Sequence, residues 1–161
     1  MEVTKTNAEW REIYFKLQRL NRLKSLKLQY AINKNSEKIE SHLTSLEKLI
    51  KPTDKFIEYD QKRVAIVEKY AEKDEHGQPI IQKNPNEGDT YKVDPEVVKP
   101  EVEELDKEYK EVLEERQEQM KQYLEILNDE HTIEVHMVDM SNVPEDVDGN
   151  EFKAIKFMLN E

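Results

Sequence analysis

The side chains that could do chemistry in this chain are four histidines, a dense run of carboxylates and a basic cluster near the N-terminus. His42, His76, His131 and His136 are the candidates for metal or proton chemistry, but none pairs with another at the four-residue spacing of a helical zinc site. His131 and His136 lie five apart across an expected helix-to-strand boundary, His42 falls on or beside an apolar helical seam, and His76 sits in a turn. No metal site is expected. Glu101, Glu103, Glu104, Asp106, Glu108, Glu111, Glu114, Glu115 and Glu118 crowd one later helix. Carboxylate catalysis needs acids from different elements converging in a pocket, at least one of them desolvated. A stripe along one exposed helix reads as a solvated face, on which Glu103, Glu104, Glu108, Glu111 and Glu115, together with Tyr91, are candidates for meeting a partner. Arg11, Lys16, Arg19, Arg22 and Lys27 form a candidate basic patch, joined by Lys24 and Lys34. Trp10, Tyr14 and Tyr30 are near enough to stack on bases, yet they occupy the apolar stripe and are expected to fill the core.

Composition removes several function classes. Three glycines in 161 residues leave no room for the glycine-rich phosphate cradles of nucleotide-binding folds, and the absence of cysteine removes thiol catalysis, disulfides and thiolate metal sites. No catalytic, cofactor-binding or metal-binding set emerges, so the expectation is a non-enzymatic protein without cofactors. No segment approaches the roughly 18 apolar residues of a membrane span, and MEVTKTNAEW does not resemble a leader, so a cytoplasmic protein is expected. The net charge of -11 is unevenly spread: residues 1–35 hold eight Lys or Arg against three acids, while residues 75–161 hold nine against twenty-four. A free nucleic-acid binder carries a net basic domain, so nucleic acid is not the expected partner.

These groups need elements to position them. Ile39, Leu43, Leu46, Ile50, Ile57, Val64, Val67 and Ala71 recur at helical spacing and predict one long helix over residues 27–73. Pro52 falls inside it, but the seven-residue phase survives across it, so a kink is expected; a stop at Lys51 with a restart capped by Thr53 or Asp54 is the alternative. Val98, Val102, Leu105, Tyr109, Val112, Leu113, Met120, Tyr123, Leu124 and Leu127 predict a second long helix over 95–128, with Asp94 and Pro95 at its start and Pro100 able to shift that start later. Residues 79–93 between them read as a β-hairpin around 84–89. Ahead of the pair, Thr6 with Glu9 is a capping-box pattern opening a helix over 6–23. After it, Ile133, Val135 and Met137 alternate in a strand over 132–138, and Asp148 with Glu151 opens a last helix over 149–160. That strand would join the hairpin or cover the open end of the helical pair. The fold class is therefore mainly α: a long antiparallel, coiled-coil-like helical hairpin with a β-hairpin at its tip, flanked by an N-terminal helix and a C-terminal strand and short helix, in a single elongated domain over 1–161.

The stretch Leu26-Lys27-Leu28-Gln29-Tyr30-Ala31-Ile32-Asn33-Lys34-Asn35, leading to Ile39 and Leu46, resembles the start of a family of small proteins of unknown function encoded by tailed phages and prophages. Glu68-Lys69-Tyr70-Ala71-Glu72-Lys73-Asp74-Glu75-His76-Gly77, with the terminal Phe157-Met158-Leu159, is similar to that family's middle and end. The resemblance implies a phage or prophage origin and transfers no catalytic residue. The helix, β-hairpin, helix order is also similar to prefoldin-type chaperone subunits, in architecture alone. The resulting expectation is an interaction protein, a small virion structural, connector or assembly factor in the host cytoplasm or the virion, acting on a protein partner. A counter-defence or regulatory protein engaging a host factor through its acidic face is the alternative, and phosphate-ligand or nucleic-acid binding through the basic N-terminal helices is a third. A homo-oligomer is the competing use of the apolar seams.

Overall fold

The computed structural model describes residues 1–20, 25–84 and 88–160, and in it the chain is mainly helical with small two-stranded sheets. Its contacts divide it into two compact units, Met1–Lys51 with Met120–Glu161 and, separately, Pro52–Gln119.

The first unit begins with a strand that the sequence does not advertise, β1 (Glu2–Thr6), because Val3 is its one large apolar side chain among charged and hydroxyl neighbours. Thr6 then caps α1 (Asn7–Leu17) as expected: its Oγ1 accepts from the Glu9 N–H at 3.2 Å while the Glu9 carboxylate accepts from the Thr6 N–H at 2.8 Å. The predicted helix over 6–23 is shorter than expected, its carbonyls closed by Gln18 and Arg19 amides one turn back, and residues 21–24 lie outside the described residues. Ser25 caps α2 (Leu26–Leu49).

The C-terminal strand is β4 (Glu130–Glu134), and it finds its partner in β1, antiparallel with Val3 opposite Ile133, rather than at the hairpin or the open end of a helical pair. The expected alternation holds in burial, with Ile133 and Val135 inside and Glu134 and His136 outside, but the strand is interrupted before β5 (Val138–Asp139). The last helix is also shorter than 149–160. α6 (Gly149–Ile155) tightens into a 3-10 turn over Lys156–Met158 and ends in β6 (Leu159–Asn160), parallel to β5. Trp10, Leu17, Leu28, Ile39, Ile155 and Met158 are fully buried at the centre of this unit. Asn35, also fully buried, holds α2 to the segment after β4: its amide donates to the His136 carbonyl at 2.9 Å and its oxygen accepts from the His136 N–H at 2.8 Å.

In place of one kinked helix over 27–73 there are two. α2 stops at Leu49, and α3 (Asp54–Tyr70) restarts at a Thr53 cap whose Oγ1 accepts from the Phe56 N–H at 3.3 Å. Pro52 has no N–H to continue the ladder and pushes Lys51 out of helical conformation, and Thr53 supplies a better end than a kink does. The seam divides with the helix. Ile39, Leu43 and Leu46 are buried in the first unit, whereas Ile57 and Val64 are 39% and 40% exposed and α3 buries Tyr59 instead.

Within the second unit, α3 leads through β2 (Ile81–Asn84) and β3 (Gly88–Tyr91) to α4 (Pro95–Glu108). Gly88 takes a φ of 82°, and loop residues 85–87 lie outside the described residues. The Glu72 N–H donates to the Lys92 carbonyl and the Ile80 N–H to the Glu72 carbonyl, both at 2.8 Å, so the base of the hairpin is tied to the segment just after α3. The expected helix over 95–128 is also two helices. α4 starts at Pro95 and contains Pro100, and α5 (Lys110–Asn128) follows across Tyr109. Tyr109 leaves helical geometry at φ -102° and ψ 20° while its side chain is buried, although the Leu113 N–H still donates to its carbonyl at 3.0 Å. Leu124, placed on the predicted seam, is 58% exposed.

Candidate functional site

The basic residues expected to form one patch are distributed over three places. Arg11 lies over the Phe15 ring at 5.7 Å and lines a small depression together with Glu40 and Glu47, which offset its charge. Lys27 borders a different depression beside Tyr30 and His136. Arg22 lies outside the described residues. Lys16 and Arg19 do come together, and the C-terminal segment adds Lys153 on α6 and Lys156 in the 3-10 turn after it, which sequence reading missed because they are about 135 residues away along the chain.

These residues line two adjoining depressions between α1 and the C-terminal segment that share Lys16 and Lys153. One, of about 420 Å³, carries Lys5, Lys16, Lys153 and Lys156; the other, of about 360 Å³, carries Lys16, Arg19 and Lys153. The acids of this groove have partners of their own, one of them a groove lysine. Glu9 is held below the usual carboxylate range chiefly by the Thr6 backbone N–H of the capping box. Glu12 sits 2.5 Å from Lys16, and Glu151 accepts from the Asp148 N–H at 3.0 Å. Arg19, Lys153 and Lys156 make no ion pair among the described residues.

The second unit presents the opposite surface. Glu103, Glu104, Glu108, Glu111 and Glu115 are all exposed, as expected of a solvated face. Glu108 lies 3.6 Å from Lys62, while Glu103, Glu104, Glu111 and Glu115 make no ion pair among the described residues. Tyr91 is half-buried, opposite Ile81 on the hairpin, and Ile81 rather than Tyr91 is the strongly exposed member of the pair at 58%. Other acids of the run are structural. Asp106 accepts from the Tyr59 hydroxyl at 2.8 Å, and burial, with that bond, pushes the phenol up to about 12. Glu101 accepts from Lys69 at 2.8 Å and from the Tyr70 hydroxyl, which hold its carboxyl below the usual range.

The histidines are not scattered as their spacing suggests. His42 and His131, on α2 and β4, stack face to face with centroids 3.6 Å apart and planes within 3°. The Asn7 amide donates to the Ile126 carbonyl at 2.7 Å, which turns its oxygen towards His42 Nε2 at 2.6 Å and makes that nitrogen the protonated one. Burial, and then the neighbouring His131, holds His42 below its ordinary value. Parallel stacked rings aim their nitrogens in-plane and away from a shared point, so the pair packs as part of the first unit. The Trp10 indole N–H donating to the His131 carbonyl at 2.8 Å locks it further. His76 remains in a turn closed by Asp74, and His136 meets the edge of Tyr30.

No helix among the described residues is long and apolar enough to cross a membrane. Set against protein-family models, curated proteins and solved structures, the chain matches none of them.

Proposed function

We propose that this chain is a non-enzymatic interaction protein of tailed-phage or prophage origin, a small virion structural, connector or assembly factor working in the host cytoplasm or in the virion. The observation that carries the interaction reading is the acidic face of the second unit, where Glu103, Glu104, Glu111 and Glu115 are exposed and free of intramolecular ion pairs among the described residues. Exposed charge without internal partners contributes little to stability, and charge complementarity gives a partner both faster encounter and register. The phage setting is supported by the resemblance of the 26–35 and 68–77 stretches to small tailed-phage proteins. The test is genetic. In a tailed phage carrying this gene, its deletion is expected to leave incomplete particles under electron microscopy, restored by the wild-type gene and not by Glu103→Lys/Glu104→Lys/Glu111→Lys/Glu115→Lys. Complete particles at normal yield without the gene would end the assembly reading.

A second reading rests on the spacing of the same carboxylates. Glu104 and Glu108 lie one turn apart on α4, and Glu111 and Glu115 lie one turn apart on α5. Carboxylates spaced in this way imitate a phosphate backbone and suit a counter-defence protein that occupies a basic, nucleic-acid-handling host protein. Normal assembly without the gene, with lost growth only on restrictive hosts, would favour it.

A further inference from the structure

The same chain carries a basic groove in one unit and an acidic helical face in the other. The second unit holds eleven Lys or Arg against twenty Asp or Glu, net -9, whereas the first holds fourteen against sixteen, net -2. Within that nearly neutral first unit, the groove between α1 and α6 concentrates Lys5, Lys16, Arg19, Lys153 and Lys156. We infer that this groove docks the Glu-rich face of α4 and α5 from a second copy of the chain, joining copies head to tail.

Three features select an acidic helix over a phosphate strand as the occupant. Lys16 and Arg19 lie three residues apart on α1 and its C-terminal turn, and Lys153 and Lys156 lie three apart at α6, so the cations repeat once per helical turn. The carboxylates Glu104 and Glu108 on α4, and Glu111 and Glu115 on α5, are spaced at that same interval within each helix, about 5.4 Å along a helix axis. Glu9, Glu12 and Glu151 are interleaved with the cations. A phosphate strand carries no cation to set beside these carboxylates, whereas α4 carries Lys107 among its acids. Finally, the groove offers no open ring for a base: Phe157, its aromatic, is engaged edge to face by Trp10 at 5.8 Å.

The two surfaces differ, so the contact is heterologous and a pair joined by it keeps one free groove and one free acidic face, through which further copies can add or the assembly can close. The inference stands apart from the assembly reading, since a protein working elsewhere could make the same contact.

Sedimentation velocity on the full chain tests it. The wild type is expected to associate at about 50 mM salt and to dissociate at about 500 mM, because screening weakens exposed pairs. Lys153→Glu/Lys156→Glu and Glu111→Lys/Glu115→Lys, each checked for unchanged helicity by circular dichroism, should each lose association at least tenfold. An equimolar mixture of the two variants should associate again, because the intact groove of one meets the intact acidic face of the other and the two reversed surfaces are complementary to each other. A wild type that is monomeric at low salt, a variant that associates as the wild type does, or a mixture that stays monomeric would each overturn the contact. Binding of a labelled oligothymidine that Lys153→Glu/Lys156→Glu abolishes, with no self-association, would assign the groove to nucleic acid instead.

Discussion

The two units spend their side chains differently. The first sequesters aliphatic and aromatic residues around Trp10, Ile39 and Met158, and Asn35 and Asn7 tie distant segments together through fully paired amides. The second gathers a small cluster around Tyr59, Leu105 and Tyr109, two of which keep a hydroxyl for a charged neighbour. Its α3 and α4 are joined by a ladder in which Glu58 and Lys62 meet Tyr109, Tyr59 meets Asp106, and Lys69 and Tyr70 meet Glu101. The partners climb α3 as they descend α4, so the helices run antiparallel. Most of the buried aliphatic core lies in the first unit, and the second leaves its charge outward.

The largest expected effect lies in the first unit. Trp10→Ala empties a fully buried site and removes the hydrogen bond to His131, and should cost about 3–5 kcal/mol in urea unfolding. Asn35→Ala comes next, because the His136 N–H and carbonyl lose their partner inside the protein, at about 1–3 kcal/mol for each group left unpaired. Tyr59→Phe in the second unit should cost only about 1 kcal/mol, since it deletes one hydrogen bond to a half-exposed carboxylate and keeps the ring. An effect as large as that of Trp10→Ala would erase the contrast.

The smallest effect is a slope with pH. His42 is depressed in the folded protein, so the unfolded chain binds the proton first as pH falls. The stabilisation is complete above the ordinary histidine value of about 6.5 and drains as pH drops from there through the folded value. Urea midpoints at about pH 7.5 and pH 5.5 should therefore fall in that order, with the difference reduced in His42→Gln. Glu9, Glu58 and Glu101 are also depressed, but they act lower, beneath the carboxylate range.

Much of the helical content was legible because it is written in local signals. The Thr6–Glu9 and Asp148–Glu151 capping boxes and the Asp94–Pro95 start appear in the structure at the residues that announce them. What misled was periodicity without knowledge of a partner. Ile57 and Val64 keep the phase of Leu43 and Ile50, yet phase cannot reveal that Pro52 with Thr53 restarts the helix on a different buried face. β1 was invisible because one valine among polar residues carries no alternation, and its identity comes from β4, 128 residues later in the Thr4–Thr132 pair. The acidic face could be named residue by residue, since exposure follows from composition. The groove could not, because Lys153 and Lys156 join Lys16 only through the packing of α6 on α1.

Native-state hydrogen exchange, read by mass spectrometry along the whole chain, tests the contrast between the units most directly. Amides of α2, β1 and β4 should exchange most slowly, through global unfolding, while those of α3 and α4 exchange faster through local opening of the polar ladder. Protection of α3 and α4 equal to that of α2 would contradict the account, since it would require a second unit as firmly packed as the first.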